Sequence, residues 1–178
     1  MLIKEIANIK GGKRLPKGIL LTTNANLHPY IRVRDMDKRI IKLNDNFEYV
    51  PENVFPIISN YLVRTNDIIL SIVGTIGLVG VIDKSLNNAN LTENCVKFVN
   101  IKNYDNLYLY YYLISQKGQD QIKAGTVGST QPKLPIYNIE QINLPDISIY
   151  DQRHIVDTIQ TLFAIYLLLY LQAPYSRP

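Results

Sequence analysis

The sequence predicts an α+β fold, in which a twisted mixed sheet with short helices is followed by a long C-terminal helix. Two observations lead to this class: strand-like and helical runs follow one another, yet the regular strand–helix–strand spacing of a doubly wound sheet is missing. The 178 residues are long enough for one domain with a sizeable core. We expect a body over residues 1–148, a helix over 149–172 and a tail over 173–178.

The first third of the chain predicts a helical turn, a loop and a strand. Apolar residues at helical spacing within residues 2–10 indicate a short helix, which Gly11-Gly12 stops. Residues 13–18 are basic and predict an exposed loop. Alternation over residues 30–34 predicts a strand with both of its arginines on one face.

The middle of the chain predicts a short helix and three strands. Residues 51–60 have the composition of a short helix. Apolar runs over 67–73 and 78–82 flank Gly74-Thr75-Ile76-Gly77, which predicts a β-hairpin whose glycines adopt positive φ. Another strand is predicted over residues 94–101.

The last third predicts two helical regions separated by a polar loop. Asp105 or Asn106 is expected to cap a helix that runs through Lys117. A further helical turn around residues 121–123 ends at Gly125, and a long helix begins at Tyr150.

Positive charge is concentrated near the start of the chain. Residues 1–42 hold ten Lys or Arg and three Asp or Glu, whereas the remaining residues hold nine and twelve. This asymmetry favours a polyanionic partner, although a solvated basic face is an equally simple interpretation. If DNA is the partner, these cations neutralise phosphates, and one of them reads a base edge. The candidates are Lys13, Arg14, Lys17, Arg32, Arg34 and Lys38.

The polar loop Gly128-Ser129-Thr130-Gln131-Pro132-Lys133 adds a second candidate surface. Its small residues let backbone N–H groups approach an anion, the amide of Gln131 is suited to a base edge, and Lys133 supplies a cation. The tip of the predicted hairpin is also able to reach a groove of the duplex. We therefore predict DNA contacts at Thr75, Ser129, Thr130, Gln131 and Lys133.

Motifs of catalysis and metal binding are missing from the sequence. His28, His154 and Cys95 lack the spacing of a zinc site. A Gly-x-Ser-x-Gly nucleophile elbow, a glycine-rich cofactor loop and a nuclease motif are absent as well. We therefore expect no metal site, and an enzyme remains open although none of these motifs supports one.

Cysteine content and hydropathy predict a cytoplasmic protein. The lone Cys95 lies in an apolar run, which indicates a packed thiol in a reducing compartment. The longest apolar helical stretch, residues 162–171, has about half of the ~20 residues that a membrane-spanning helix needs.

Six fragments, the last in two parts, occur in order between residue 2 and about residue 163. They are Ile3-x-x-Ile6-Ala7-x-Ile9-x-x-Gly12, Tyr30-Ile31-Arg32-Val33-x-Asp35, Asn66-Asp67-Ile68-Ile69-Leu70-Ser71-x-x-Gly74-x-x-Gly77, Tyr110-Tyr111-Tyr112-Leu113-x-Ser115, Gly128-Ser129-Thr130-Gln131, and Ile139-x-x-Ile142-x-Leu144-Pro145 with Asp151-Gln152-x-x-Ile155-Val156. In this order the chain resembles a target recognition domain of type I restriction–modification specificity subunits.

The resemblance implies a cytoplasmic, non-catalytic subunit that binds double-stranded DNA. Residues 1–148 would be the DNA target recognition domain, which reads a few base pairs in one half of a split target. The helix over 149–172 would act as a spacer and dock modification (methyltransferase) subunits, which use S-adenosylmethionine. Restriction subunits would then join the assembly.

The C-terminal helix departs from the family pattern because it lacks charges. Between Asp157 and Arg177 no charged residue occurs, so something has to cover its apolar surface. We predict a half-subunit that forms a homodimer through this helix and reads a palindromic target. The alternative is a short helix folded onto its own domain. The predicted dimer seam consists of Ile155, Ile159, Leu162, Tyr166 and Leu169.

Two other functions remain open from the sequence. The chain would be a truncated assembly module if it bound methyltransferase subunits, or itself, without useful DNA readout. It would be an enzyme fragment if it came from a fused restriction–methylation protein.

Overall fold

The structure, a computed structural model, describes residues 1–172 as two sheets with helices packed beside them; the predicted tail, 173–178, lies outside the described residues. The strands are β1 (Asn8–Gly11), β2 (Pro29–Ile31), β3 (Ile40–Ile41), β4 (Glu48–Tyr49), β5 (Ile68–Ser71), β6 (Val79–Ile82), β7 (Asn90–Leu91) and β8 (Cys95–Val99). The helices are α1 (Ile3–Ile6), α2 (Phe55–Ile58), α3 (Asn106–Ile114), α4 (Gln116–Gly125), α5 (Ile136–Ile139) and α6 (Ile149–Gln172), with short 3₁₀ turns at Val33–Asp35 and Lys84–Leu86.

The larger sheet has five strands in the order β1-β8-β5-β6-β3 and is mixed. Its first four strands are antiparallel neighbours, whereas the edge strand β3 runs parallel to β6. A smaller sheet has the order β4-β2-β7, with β2 antiparallel to β4 and parallel to β7. This mixture of sheets with short helices and a long last helix confirms the predicted α+β class.

The alternation of strand side chains divides the apolar core between the two faces of the larger sheet. On one face Ile68, Val81 and Phe98 pack with the residues of α1, α3, α4 and α5. On the other face Ile69, Ile82 and Cys95 pack against residues of the smaller sheet.

The thiol of Cys95 is buried in this second layer, as the sequence predicts. Burial raises the pKa of the thiol to about 12, with smaller contributions from the charges of Glu93 and Asp35. The Sγ atom lies 3.5 Å from Sδ of Met36. Cys95 is therefore a neutral packing residue at physiological pH.

The predicted hairpin over residues 67–82 is confirmed, but the predicted helix over residues 2–10 is mostly wrong. The helix ends at Ile6, and residues 8–11 form β1, paired with β8 from Asn8 opposite Val99 to Gly11 opposite Val96. The spacing of the apolar residues is compatible with a helix. Pairing with β8, however, supplies hydrogen bonds to the backbone groups of residues 8–11 and outweighs this local preference.

The helix predicted to run through Lys117 is divided in two. Ser115 adopts an extended conformation that ends α3, and its Oγ accepts a hydrogen bond from the N–H of Gly118 to cap α4. A Cβ at position 118 would lie 2.2 Å from the carbonyl oxygen of Tyr112, so the close turn between the helices requires glycine. The second helix thus has ten residues rather than one turn.

The base of α6 is attached to the body through the fully buried side chain of Gln152. Its Oε1 accepts from the backbone N–H of Asp105 at 2.8 Å, and its Nε2 donates to the carbonyl of Ile147 at 3.0 Å. Val156, one turn later, is also buried. Gln152 and Val156 therefore attach the first turns of α6 to the body.

From residue 161 to residue 170 every position of the helix α6 is exposed. Between 40% and 69% of each large apolar side chain remains accessible from Leu162 to Tyr170. Of the predicted seam, Ile159 is partly buried, whereas Ile155, Leu162, Tyr166 and Leu169 are exposed. The alternative, a helix folded entirely onto its own domain, is therefore wrong for Leu162 to Tyr170, which remain exposed.

None of the helices in residues 1–172 combines the length and the apolar character that crossing a bilayer requires.

Replacing Gln152 by Ala is expected to lower the free energy of unfolding by about 1–3 kcal/mol, because a buried N–H and a buried carbonyl lose their partners. Urea unfolding followed by circular dichroism measures the change. The matched control is Gln160→Ala, on the same helix but away from both backbone groups, which should change stability by less than about 0.5 kcal/mol. Equal losses in the two variants would contradict the role of Gln152.

Candidate nucleic-acid interface

One end of the larger sheet collects three loops because of the register of its strands. Gly11, at the end of β1, lies opposite Val96, near the start of β8. Ser71, at the end of β5, lies opposite Cys95. Since β6 is antiparallel to β5, its first residue also lies at this end. The basic loop after β1, the turn before β8 and the hairpin tip therefore share one end, which we call the loop end.

The basic loop, residues 13–18, is attached to the loop end by its backbone. The N–H of Gly12 donates to the carbonyl of Cys95 at 3.0 Å, and the N–H of Lys13 donates to the carbonyl of Leu91 at 2.8 Å. A Cβ on Gly12 would lie 2.1 Å from the carbonyl oxygen of Thr92 and 2.2 Å from that of Leu91. Only glycine permits this approach, so Gly12 determines where the basic loop leaves the sheet.

An open groove of ≈ 880 Å³ lies beside the basic loop. It brings together residues that are far apart in the sequence, from the basic loop, the segment after β2 and the turn before β8. Four of the predicted DNA-contact residues line it: Arg14, Lys17, Arg32 and Arg34.

The pKa values of Glu93 and Tyr30, on the wall of this groove, are shifted. Partial burial pushes the pKa of the Glu93 carboxyl up, but hydrogen bonds from Arg14, its own backbone and Thr92 outweigh burial and leave the pKa lowered. Nε of the largely exposed Arg14 lies 2.5 Å from Oε1 of Glu93. Burial, with the nearby charge of Glu93, raises the pKa of Tyr30 to about 12, and its hydroxyl donates to the carbonyl of Lys13 at 2.8 Å. Tyr30 therefore stays protonated and holds the basic loop.

The predicted strand over residues 30–34 is wrong beyond its second residue. β2 ends at Ile31, and Val33–Asp35 forms a 3₁₀ turn. The carboxylate of Asp35 causes the change: it accepts from the backbone N–H of Arg32 at 2.8 Å and from its Nε at 3.2 Å. The two arginines therefore do not share a strand face.

These two arginines differ in exposure and yet meet at one carboxylate. The side chain of Arg32 is 17% exposed, whereas that of Arg34 is 62% exposed. Both donate to Oε2 of Glu48, from Nη1 of Arg32 and from Nη2 of Arg34, the latter at 2.5 Å.

The second candidate surface is the loop over residues 128–133. Val127 and Lys133 exchange backbone hydrogen bonds of 2.8 and 2.9 Å, and Gly128 closes the turn with a φ of 90°. Every residue from 127 to 133 is exposed. Within residues 1–172 the side chains of 129–131 make no hydrogen bond, so their polar atoms are free to meet a ligand.

The hairpin tip lies next to this loop. The buried Ser71 fixes the tip, since its Oγ donates to the carbonyl of Thr75 at 2.6 Å and accepts from the N–H of Leu78 at 2.9 Å. Gln119 of α4 donates to the carbonyl of Gly77 at 3.0 Å. The exposed Thr75 thus stands beside a cleft of ≈ 570 Å³, lined among others by Gly74, Gln119, Lys123, Thr126, Gly128 and Pro132.

Ile72 joins the two candidate surfaces. Its N–H donates to the carbonyl of Asn94, in the groove wall, at 2.8 Å, and its carbonyl accepts from the N–H of Leu134, just after the loop, at 2.9 Å. The early arginines and Lys133 therefore lie on neighbouring parts of the loop end.

Lys38 is not part of either surface. It is exposed and precedes β3, the edge strand on the other side of β6. Next to it, the guanidinium of Arg39 stacks on the rings of Tyr110 and Tyr111, with its carbon 5.3 and 4.8 Å from their centroids.

Sequence reasoning missed the acidic and amide side chains of the loop end: Glu48, Glu93 and Gln119. A signal existed for Glu93, since it is the one charged residue between Lys84 and Lys97 and directly precedes the strand predicted from Asn94. Glu48 had no comparable signal, because only the pairing of β4 with β2 brings it to the arginines.

Among the described residues, no three His, Cys, Asp or Glu side chains cluster in a way that could hold a metal ion.

Comparison with known proteins places this fold among DNA-modifying systems. The family model described as "Type I restriction modification DNA specificity domain" matches residues 1–169. No curated protein matches the chain by sequence.

Three solved structures share the fold. An S subunit of a type I restriction–modification system from M. genitalium is 17% identical, with a TM-score of 0.59 over 90% of this chain and 37% of the other. The HsdS subunit from Thermoanaerobacter tengcongensis is 16% identical, with a TM-score of 0.69 over 97% and 39%. A chain from a structure that describes complex assembly and conformational transition of the type I R-M system is 16% identical, with a TM-score of 0.69 over 93% of this chain and 39% of the other. The chain thus spans less than two fifths of the length of these proteins.

Replacing Gly12 by Ala is expected to destabilise the protein by at least about 1–3 kcal/mol and to displace the basic loop, because the new methyl group meets two carbonyl oxygens. Urea unfolding and proteolytic cleavage at Lys13, Arg14 or Lys17 measure the two effects. The control is Gly11→Ala, where an added Cβ meets nothing within 4 Å. If both variants behave alike, Gly12 does not hold the loop.

Proposed function

Because this chain belongs to the family of type I restriction modification DNA specificity domains, we propose that it recognises a short sequence of double-stranded DNA through its loop end. The observation that carries the proposal is the common position of the basic loop, the hairpin tip and the loop over 128–133. A protein that only had a solvated basic face would not need to gather these three segments at one end of a sheet.

Exposed cations at this end are suited to phosphates and fix the register of the protein on the duplex. Arg14, Lys17 and Lys133 take this role, since each is exposed. Base edges are read by side chains with paired donors and acceptors, for which Arg34 and Gln131 are suited. Small residues around Gly128 let the backbone approach the sugar–phosphate chain.

Within a restriction–modification system the chain acts as a recognition module without catalysis. It brings modification (methyltransferase) and restriction subunits to one half of a split target in the cytoplasm. S-adenosylmethionine binds to the modification subunit, and this chain needs no cofactor. A type I assembly of this kind is the subject of one of the solved structures with this fold.

A second copy of this chain covers the exposed part of α6 in the proposal. The large apolar side chains from Leu162 to Tyr170 expose roughly 900 Å², if a large side chain offers about 150–250 Å² when fully accessible. A second copy on the seam side buries part of this area, whereas a standard interface buries ~800 Å² on each partner. Two copies related by a two-fold axis present two DNA-reading ends, so the target is palindromic.

DNA affinity is expected to fall steeply with salt, and Lys133→Ala is expected to lower the slope of log Kobs against log[salt] by about 0.9, one phosphate contact. Fluorescence anisotropy on a duplex selected from a random pool measures both quantities. Lys102→Ala is the control, because Lys102 is exposed and follows β8 at the opposite end of the sheet.

A flat salt response would show that the basic residues are only a solvated surface. If the chain associates with itself or with a methyltransferase subunit but binds no selected duplex, the assembly module is the correct interpretation. Methyl transfer by the isolated chain would instead favour the enzyme fragment.

The chain is expected to be a dimer at micromolar concentration in light scattering and sedimentation. The double substitution Leu162→Glu and Leu169→Glu should weaken the dimer at least about 100-fold, because each Leu contributes ~1.5–3 kcal/mol when buried. Ala164→Glu, on the opposite side of the helix, is the control and should leave the dimer intact. A monomeric wild-type protein would remove the dimer from the proposal.

A further inference from the structure

Four charged side chains of alternating sign are joined in a row: Asp35, Arg32, Glu48 and Arg34. The two arginines line the groove. Asp35 is bonded to Arg32 through the backbone N–H and Nε, at 2.8 and 3.2 Å. Arg32 continues to Glu48, and Glu48 to Arg34 at 2.5 Å. The row has two positive and two negative charges, so it adds no net attraction for a polyanion.

Arg32 is fixed on the protein side of this row. Besides Asp35 and Glu48, its Nη2 is 3.5 Å from the carbonyl of Asn46, and only 17% of its side chain is exposed. Its donors are therefore directed to protein acceptors. Arg34 is different, since 62% of its side chain is exposed and one of its nitrogens is held by Glu48.

Glu48 stands on a rigid support. It lies in β4 directly opposite Tyr30 of β2, a pair that the antiparallel ladder holds in register. Its side chain is 27% exposed, and two guanidinium groups converge on the same oxygen. The carboxylate is thus held in place by Arg32 while it holds Arg34.

A carboxylate in this position works against phosphate binding, because it repels the DNA backbone and neutralises a cation. It has a use if the arginine reads a base. The guanidinium is a planar fork that recognises O6 and N7 of guanine through two parallel hydrogen bonds, and this requires a fixed plane. The bond from Nη2 of Arg34 to Glu48, together with Asp35, whose Oδ1 lies 4.0 Å from Nε, orients that plane. Nη1 and the second hydrogen of Nη2 remain available for the base.

We propose that Arg34 reads a guanine in the major groove and that Glu48, supported by Arg32, is the positioning residue that gives this contact its specificity. This inference rests on the proposed function, since it names the residues that discriminate bases at the same surface. It also separates the two arginines that the sequence treats as equivalent: Arg34 meets the base, and Arg32 acts through Glu48.

The expected effects of substitution follow from this division of roles. Arg34→Lys keeps the charge but loses the planar fork, so discrimination at one G·C pair should fall about 10–100-fold while affinity for random duplex stays similar. Glu48→Gln removes a negative charge and frees Arg34. Discrimination should fall at the same base pair, and affinity for random duplex should rise.

The experiment uses the full chain and a duplex selected from a random pool. Dissociation constants are measured for the selected duplex, for every single base-pair substitution of it and for a random duplex. The variants are wild type, Arg34→Lys and Glu48→Gln, and thermal melting verifies that each is folded. The matched control is Glu52→Gln, which removes the same charge from a carboxylate that contacts His28 instead of an arginine.

Loss of discrimination at one shared G·C pair in both variants, with Glu52→Gln unchanged, supports the proposal. An unchanged profile in Glu48→Gln, or an even loss at every position, overturns it, because a merely structural role would not select one base pair. If wild type binds no duplex, the proposed function itself fails. If wild type discriminates and both variants discriminate equally well, only this inference fails.

Discussion

The hydrogen-bonded register of β1, β8, β5 and β6 is the constraint on which the rest of this structure depends. Each antiparallel pair determines which end of a strand lies beside which end of its neighbour, and a slip of one residue would also exchange the two faces of the sheet. With Gly11 opposite Val96 and Ser71 opposite Cys95, three polar loops emerge together while the apolar faces remain covered. The same strand register therefore determines both how the core is packed and where the loops of the loop end lie.

The loop end carries several basic side chains, and its arginines are paired with carboxylates. Glu93 holds Arg14, and Glu48 holds Arg32 and Arg34. Partly buried carboxylates of this kind reduce long-range attraction for a polyanion, but they give each arginine a defined orientation. The loop over 128–133 complements them with unpaired polar side chains. In the proposed function, the arginines held by carboxylates contact DNA in a fixed orientation, whereas the polar side chains of the loop adjust to it.

The long helix α6 connects this recognition body to its surroundings. Gln152 and Val156 attach its first turns, and from Leu162 to Tyr170 the large apolar side chains of the helix are all exposed. Exposed apolar surface of this extent is unfavourable in water and is stabilised by a covering partner. The proposed dimer meets that need and would set the distance between two reading ends, because a helix of this length is a stiff spacer.

The sequence alone determined the α+β class, the β5–β6 hairpin, the helix start at Asp105 or Asn106, the start of the long helix near Tyr150 and the exposed polar loops, because each depends on local periodicity, turn residues or capping. It did not determine β1, which residues 8–11 form only through pairing with β8, nor the 3₁₀ turn that Asp35 imposes on the arginine segment. The combination of Arg34, Glu48 and Arg32 was likewise decided by the tertiary structure. Side chains from separate strands meet through ladder register, and hydrogen bonds between distant backbone groups leave no periodic trace in the sequence.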